Sequence, residues 1–182
     1  MDKIPDLYFL KPSSLDRLIS VWNYDGVIRK AIIALKYKFA SDVAKELADQ
    51  VNLILKTKNL KNVVLVPIPL HESRKRWRGF NQSEEIGKLI AVSMDWEFAP
   101  NLLKRVFSTK PQVGLKEKER VENVKDVFVL NSSYIIHPTS YIIFDDVWTT
   151  GSTLQEAAKV LKTCLRRQET GAKEVWGLTV AR

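Results

Sequence analysis

Tyr141-Ile142-Ile143-Phe144-Asp145-Asp146-Val147-Trp148-Thr149-Thr150-Gly151-Ser152-Thr153 is the stretch whose reading decides the fold. Four apolar residues run into two carboxylates, then into a hydroxyl-rich turn with one glycine. A run so short and so apolar suits a strand buried on both faces. From there Leu154, Ala157, Ala158, Leu161, Cys164 and Leu165 keep helical spacing. The segment therefore reads as strand, tight turn, helix. Its polar cluster falls at the carboxyl end of a parallel strand, where open α/β sheets place their ligands.

The residue types in that turn narrow the chemistry. Backbone N–H groups at a helix start, with the helix dipole behind them, seat an anion. Thr149, Thr150, Ser152 and Thr153 add hydroxyl donors, and Gly151 lets the backbone approach that anion closely. Asp145 and Asp146 would repel a phosphate, so vicinal ribose hydroxyls and a hydrated Mg²⁺ are their natural partners. Phosphate, diol and metal around one turn describe a ribose 5-phosphate carrying a metal-bound pyrophosphate. Residues 141–153 resemble the phosphoribosyl pyrophosphate (PRPP) signature of type I phosphoribosyltransferases, an apolar strand followed by Asp-Asp-Val-x-Thr-Thr-Gly-x-Thr. A turn that merely capped a helix would not need two acids, the glycine and four hydroxyls together.

With 182 residues the chain is long enough for one domain with a sizeable core. A composition of 45% hydrophobic and 27% charged residues argues against disorder. No apolar stretch approaches a membrane span, and Met1-Asp2-Lys3-Ile4-Pro5 lacks a signal-peptide layout, so a cytoplasmic location is expected. The single cysteine, Cys164, excludes a disulfide framework within the chain, fits a reducing compartment and is expected in the core. A net charge of +8 points to polyanionic partners, and both PRPP and nucleic acid qualify.

Outward from the signature, residues 1–20 read as a loosely structured N-terminal extension and 21–182 as the domain. Val27, Ile28, Ala31, Ile32 and Leu35 predict a helix with Asp25 as N-cap and Lys36 and Lys38 near its C-terminal end. A second helix runs from Asp42 to about Leu55. Val63-Val64-Leu65-Val66-Pro67-Ile68-Pro69 is a buried strand stopped by prolines. Beyond it, Arg74-Lys75-Arg76-Trp77-Arg78 reads as a basic loop that shares the sheet edge with Asp145 and Asp146. Asn81 caps the next helix, with Glu84 placed for a capping box and Ile86, Leu89 and Ile90 as the buried stripe. Trp77 and Phe80 are alternatively platforms for stacking bases. Leu102 to Phe107 and Val124 to Leu130 read as partner strands separated by a long polar insert. His137 is expected to be structural and His71 has no assigned role. Glu169-Thr170-Gly171 ends the signature helix, and Lys173 to Ala181 supplies a last strand.

From Tyr24 to Arg182 the chain resembles ComF-type competence proteins, most specifically in the signature and in Pro-Ile-Pro-Leu-His followed by Arg-Gly-Phe-Asn-Gln. The resemblance implies a type I phosphoribosyltransferase-like fold: α/β, a mainly parallel sheet flanked by helices, with a small hood and flexible loop over residues 104–124. It implies PRPP as ligand, its 5-phosphate on Thr149, Thr150, Gly151, Ser152 and Thr153. Asp145 and Asp146 would take the ribose hydroxyls and the Mg²⁺ shell through water, and Arg74 and Arg78 the pyrophosphate. Arg105 and Arg120 are the lid cations counted with the aspartates as catalytic, and Val147 and Trp148 face the base side. Pyrophosphate would be displaced from C1 by a base or amine nitrogen. Two other classes stay open: a DNA-binding accessory factor for transformation or recombination, with single-stranded DNA as partner, and a non-catalytic PRPP sensor. Two departures stand out. With Cys164 the single cysteine of these 182 residues, the four-cysteine zinc ribbon of many ComF-type proteins is not expected within them, and a bulky Trp148 stands where smaller residues are usual. Thr149 replaces the acid that 6-oxopurine enzymes carry at that position, which argues against a hypoxanthine- or guanine-type substrate.

Overall fold

The computed structural model describes residues 14–38, 41–107, 124–131, 133, 139–167 and 174–182, with backbone alone for 37–38 and 164–167. Elements follow in the order β1 (Arg17–Trp22), α1 (Gly26–Lys38), α2 (Ser41–Lys56), β2 (Val63–Pro67), α3 (Glu72–Arg78), α4 (Gln82–Met94) and β3 (Glu97–Phe98). Then come β4 (Leu103–Arg105), β5 (Phe128–Leu130), β6 (Ser140–Val147), α5 (Ser152–Arg167) and β7 (Val175–Ala181). Five strands form one sheet in the order β1, β7, β6, β2, β3, every pairing parallel. This is the mainly parallel α/β architecture expected from the sequence.

The apolar run that opens β6 is explained by its place. Flanked by β7 and β2, it buries Tyr141, Ile142, Ile143 and Phe144 with both sheet faces covered. Alternation along the strands builds two cores. Leu65, Ile142, Phe144 and Leu178 join α1, α2 and α4 on one face, while Val64, Val66, Ile143 and Val175 join α5 on the other. Gly87 allows α4 to lie close, since a Cβ there would meet Leu65 Cδ2 at 3.0 Å and Phe144 Cδ1 at 3.4 Å. Its stripe is Ile86, Gly87, Ile90 and Ala91, whereas Leu89, expected inside, is 39% exposed. The close approach at Gly87 rotates the buried face away from Leu89.

Strands β4 and β5 pair antiparallel, as expected for residues 102–107 and 124–130, and form a small hood. Leu102, Leu103, Val124, Val127 and Phe128 join the core on the α5 side of the sheet, so the hood is anchored there. Most of the expected lid, residues 108–123 with Arg120, lies outside the described residues, as do His137, the Cys164 side chain and Glu169 to Gly171.

Two local expectations change. The strand β1 begins at Arg17 and pairs with β7 from Arg17↔Trp176 to Trp22↔Ala181, so the sheet already includes residues before position 21. The basic stretch is not a loop but helix α3. His71 Nδ1 accepts the Ser73 N–H at 3.2 Å, and Gly79, at φ 82°, closes the helix with its N–H on Lys75 O at 2.7 Å. Gly79 is a common stop signal, but a histidine N-cap is not among the usual start signals.

Candidate functional site

The carboxylates sit where β6 leaves the sheet, and the strand alternation sends them to opposite faces. Asp146 is in step with Phe144 and turns toward α1 and α4; Asp145 is in step with Ile143, but at the strand end its carboxylate also reaches α4, at Ser83. Lys36 of α1 forms an ion pair with Asp146, Nζ to Oδ2 at 2.7 Å, and Gln82 Nε2 donates to the same oxygen at 3.3 Å. Asp145 Oδ1 accepts from Ser83 Oγ at 3.0 Å and from the Asp146 N–H at 2.9 Å.

Charges are set by burial and by these contacts. Burial, with the Asp146 charge beside it, pushes the Asp145 carboxyl up to about 7, against the opposing pull of Lys36 and its own hydrogen bonds. Burial alone would lower Lys36, but the charge and hydrogen bond of Asp146, aided by the Asp145 charge, hold its ammonium above the usual lysine range. Arg105 of the hood is lowered to about 10, first by burial and then by the neighbouring Arg74 charge, while Asp145 pulls the other way. Arg74, Arg105 and Asp145 thus lie within electrostatic reach of one another.

Helix α3 places Arg74 and Arg78 side by side. Four positions apart, they share one face, and both are partly buried while Lys75 and Arg76 point outward. Arg78 Nη1 donates to Gln82 Oε1 at 2.6 Å, so Gln82 links α3 to Asp146. Asn81 caps α4 as expected, its side chain accepting from Ser83 N at 3.1 Å and donating to Ile68 O at 3.0 Å. Glu84 instead takes Lys75 Nζ at 3.1 Å.

In the turn, Gly151 is left-handed at φ 76° and its carbonyl accepts the Gln155 N–H at 2.9 Å. Thr150 Oγ1 and Ser152 Oγ lie 2.9 Å apart, the Ser152 N–H lies 3.5 Å from Thr150 Oγ1, and Thr149 is exposed. Trp148 packs its indole against Gly151 and onto the α5-side core, and Val147 packs on the opposite core. Both residues bracket the turn, with the tryptophan ring turned onto the glycine.

The sequence reading therefore names Asp145, Asp146, Arg74, Arg78, Arg105 and the turn residues, and the fold brings these around one edge of the sheet. Lys36, Gln82 and Ser83 carry no local signal for this site. Lys36 reads as a helix-terminal cation, and only Asn81 of the Asn-Gln-Ser run reads as a cap. Only the placement of α1 and α4 over β6 turns them toward the carboxylates.

For Mg²⁺ the donor set is small. Among the described residues no group of three or more His, Cys, Asp or Glu is placed to hold a metal. Mg²⁺ keeps several waters and is commonly held by one or two carboxylates plus phosphate oxygens, so it does not need such a group. Asp145 and Asp146 are the residues that would hold it. No helix among the described residues is long and apolar enough to cross a membrane.

The chain is 32% identical to competence protein F of Haemophilus influenzae over 92% of its own length and 74% of the relative's. It is 30% identical to the DNA utilization protein YhgH of Escherichia coli over the same shares. Against competence protein ComFC of Bacillus subtilis it is 29% identical, covering 78% of this chain and 56% of that one. No family model matches. Among solved structures, adenine phosphoribosyltransferase of Leishmania tarentolae aligns over 76% of this chain and 71% of its own, at 13% identity and a TM-score of 0.42. Hypoxanthine phosphoribosyltransferase of Staphylococcus aureus aligns over 81% and 69%, at 12% identity and a TM-score of 0.43.

Proposed function

The chain belongs to the ComF family of competence proteins, and on that premise we propose that it is an accessory factor in DNA uptake or use whose domain binds PRPP. The DNA role is carried over from the names of its relatives. The ligand reading rests on one observation: Asp145 and Asp146 end a buried parallel strand directly before a left-handed glycine turn and a helix start, with Arg74 and Arg105 in electrostatic reach.

The 5-phosphate would sit on the backbone N–H groups and hydroxyls of residues 149–153. Ribose hydroxyls would donate to Asp145 and Asp146, and Arg74, Arg78 and Arg105 would balance the pyrophosphate. Mg²⁺, when bound beside Asp145 and Asp146, would supply further positive charge at the pyrophosphate oxygens. Arg120 would add a further cation at the pyrophosphate, and Val147 and Trp148 would face the base.

A second reading, transfer of the phosphoribosyl group, is favoured by the arginines gathered near Asp145. There the bond from C1 to the pyrophosphate oxygen breaks and a bond to the acceptor nitrogen forms, the pyrophosphate leaving with the electron pair. The nitrogen's proton passes to solvent. The arginines would stabilise charge as it develops on the leaving group.

Calorimetric titration with PRPP, beside binding of single-stranded DNA and assay of pyrophosphate release with a panel of nucleobases, tests the proposal. We expect PRPP and DNA binding without pyrophosphate release, and loss of PRPP binding in the Asp145→Asn, Asp146→Asn double variant. Release with any base would shift the reading to the transferase. Unchanged PRPP affinity in the double variant would sink the site assignment.

A further inference from the structure

Lys36 is the one cation in ion-pair contact with the carboxylate pair among the described residues, and it comes from a different part of the chain. On the same helix Arg29 and Lys30 are exposed, while the Lys36 side chain is 25% and that of Asp146 only 7% exposed. A helix-end lysine needs only to sit near the last carbonyls to satisfy the dipole. This one is instead directed at a strand carboxylate. Burying two charges costs desolvation that an apolar pair would avoid, so stability alone is a weak reason for such a pair.

The geometry of the contact has a consequence for ligands. Lys36 and Gln82 both engage Asp146 Oδ2. The other oxygen, Oδ1, is therefore the one to accept a ribose hydroxyl, on a carboxylate whose charge the chain has already balanced. An unbalanced Asp146 beside the anion-binding turn would oppose a phosphate, and a divalent metal would be needed to offset it.

We propose that Lys36 is the built-in counter-cation of the ribose-phosphate site, so that the sugar phosphate binds without a divalent metal and Mg²⁺ serves the pyrophosphate alone. This rests on the PRPP reading above.

The test uses ribose 5-phosphate, which has no pyrophosphate, titrated calorimetrically into the full chain in EDTA and in Mg²⁺, with PRPP in parallel. Wild type should bind ribose 5-phosphate equally in both. Lys36→Met should weaken it in EDTA by about tenfold or more, the scale of a lost charge-assisted contact, and Mg²⁺ should restore part of the loss. Lys36→Arg, which keeps the charge, should bind in EDTA. Wild-type binding of ribose 5-phosphate that disappears in EDTA would overturn the proposal, and this comparison stands even if Lys36→Met fails to fold. An unaffected Lys36→Met that melts like wild type would overturn it as well. Failure of the wild type to bind either ligand in Mg²⁺ is a different result, which removes the PRPP site itself.

Discussion

The indole of Trp148 lies across Gly151 so closely that a Cβ at 151 would overlap its six-membered ring. The two residues close the turn from both sides. Gly151 has the positive φ that only glycine adopts cheaply, and Trp148 fills the space where a side chain would stand.

Gly151→Ala should therefore destabilise the protein by more than the ~1–2 kcal/mol that a left-handed backbone costs an ordinary residue. In a Trp148→Ala background part of that cost should disappear, because the overlap is gone and only the backbone term remains. A double-mutant cycle by denaturant unfolding measures it. Equal costs in the two backgrounds would mean that the ring simply moves aside.

Asp145 gives a pH dependence with a definite sign. Its carboxyl stands at about 7 when folded against an ordinary 3.8, so the folded protein holds this proton more tightly than the unfolded chain. The group's contribution to stability is full below pH 4 and declines as pH rises from there to about 7. Asp145→Asn should remove that decline, gaining stability over wild type at pH 8 relative to pH 5. Thermal melts at the two values decide, and parallel profiles would show that Asp145 titrates normally.

Arg105 is a hood residue that feels the charges of both Arg74 and Asp145. If it faces the pyrophosphate, Arg105→Ala should weaken PRPP binding by about 1.5–3 kcal/mol, the range for a hydrogen bond to a charged group. Ribose 5-phosphate affinity should hardly change. A parallel loss for both ligands would place Arg105 at the sugar or in the support of the hood instead.

Trp77 is 71% exposed on α3, on the helix that carries Arg74 and Arg78. If the DNA role uses this helix, Trp77→Ala should cost single-stranded DNA about 1–3 kcal/mol at fixed salt, as for a base-stacking aromatic. PRPP affinity should be unaffected. A silent Trp77 would move the nucleic-acid surface off α3.

The sequence by itself determined the strand, turn and helix of residues 141–167, because each of those signals is local. An apolar run ends at two acids, a glycine occupies the left-handed position, and a 3.6-residue stripe follows. It also determined that α2, β2 and the β4–β5 pair exist. Only the tertiary structure decided what those carboxylates touch. Asp146 meets Lys36 and Gln82, whereas Asp145 accepts from Ser83 and lies within reach of the Arg105 charge. Lys36 carries no local mark of that role, since a lysine near a helix end is already accounted for by the dipole. The strand β1 escaped notice for a related reason. Its neighbour β7 arrives from the far end of the chain, and six residues acquire strand character from that pairing rather than from a pattern of their own.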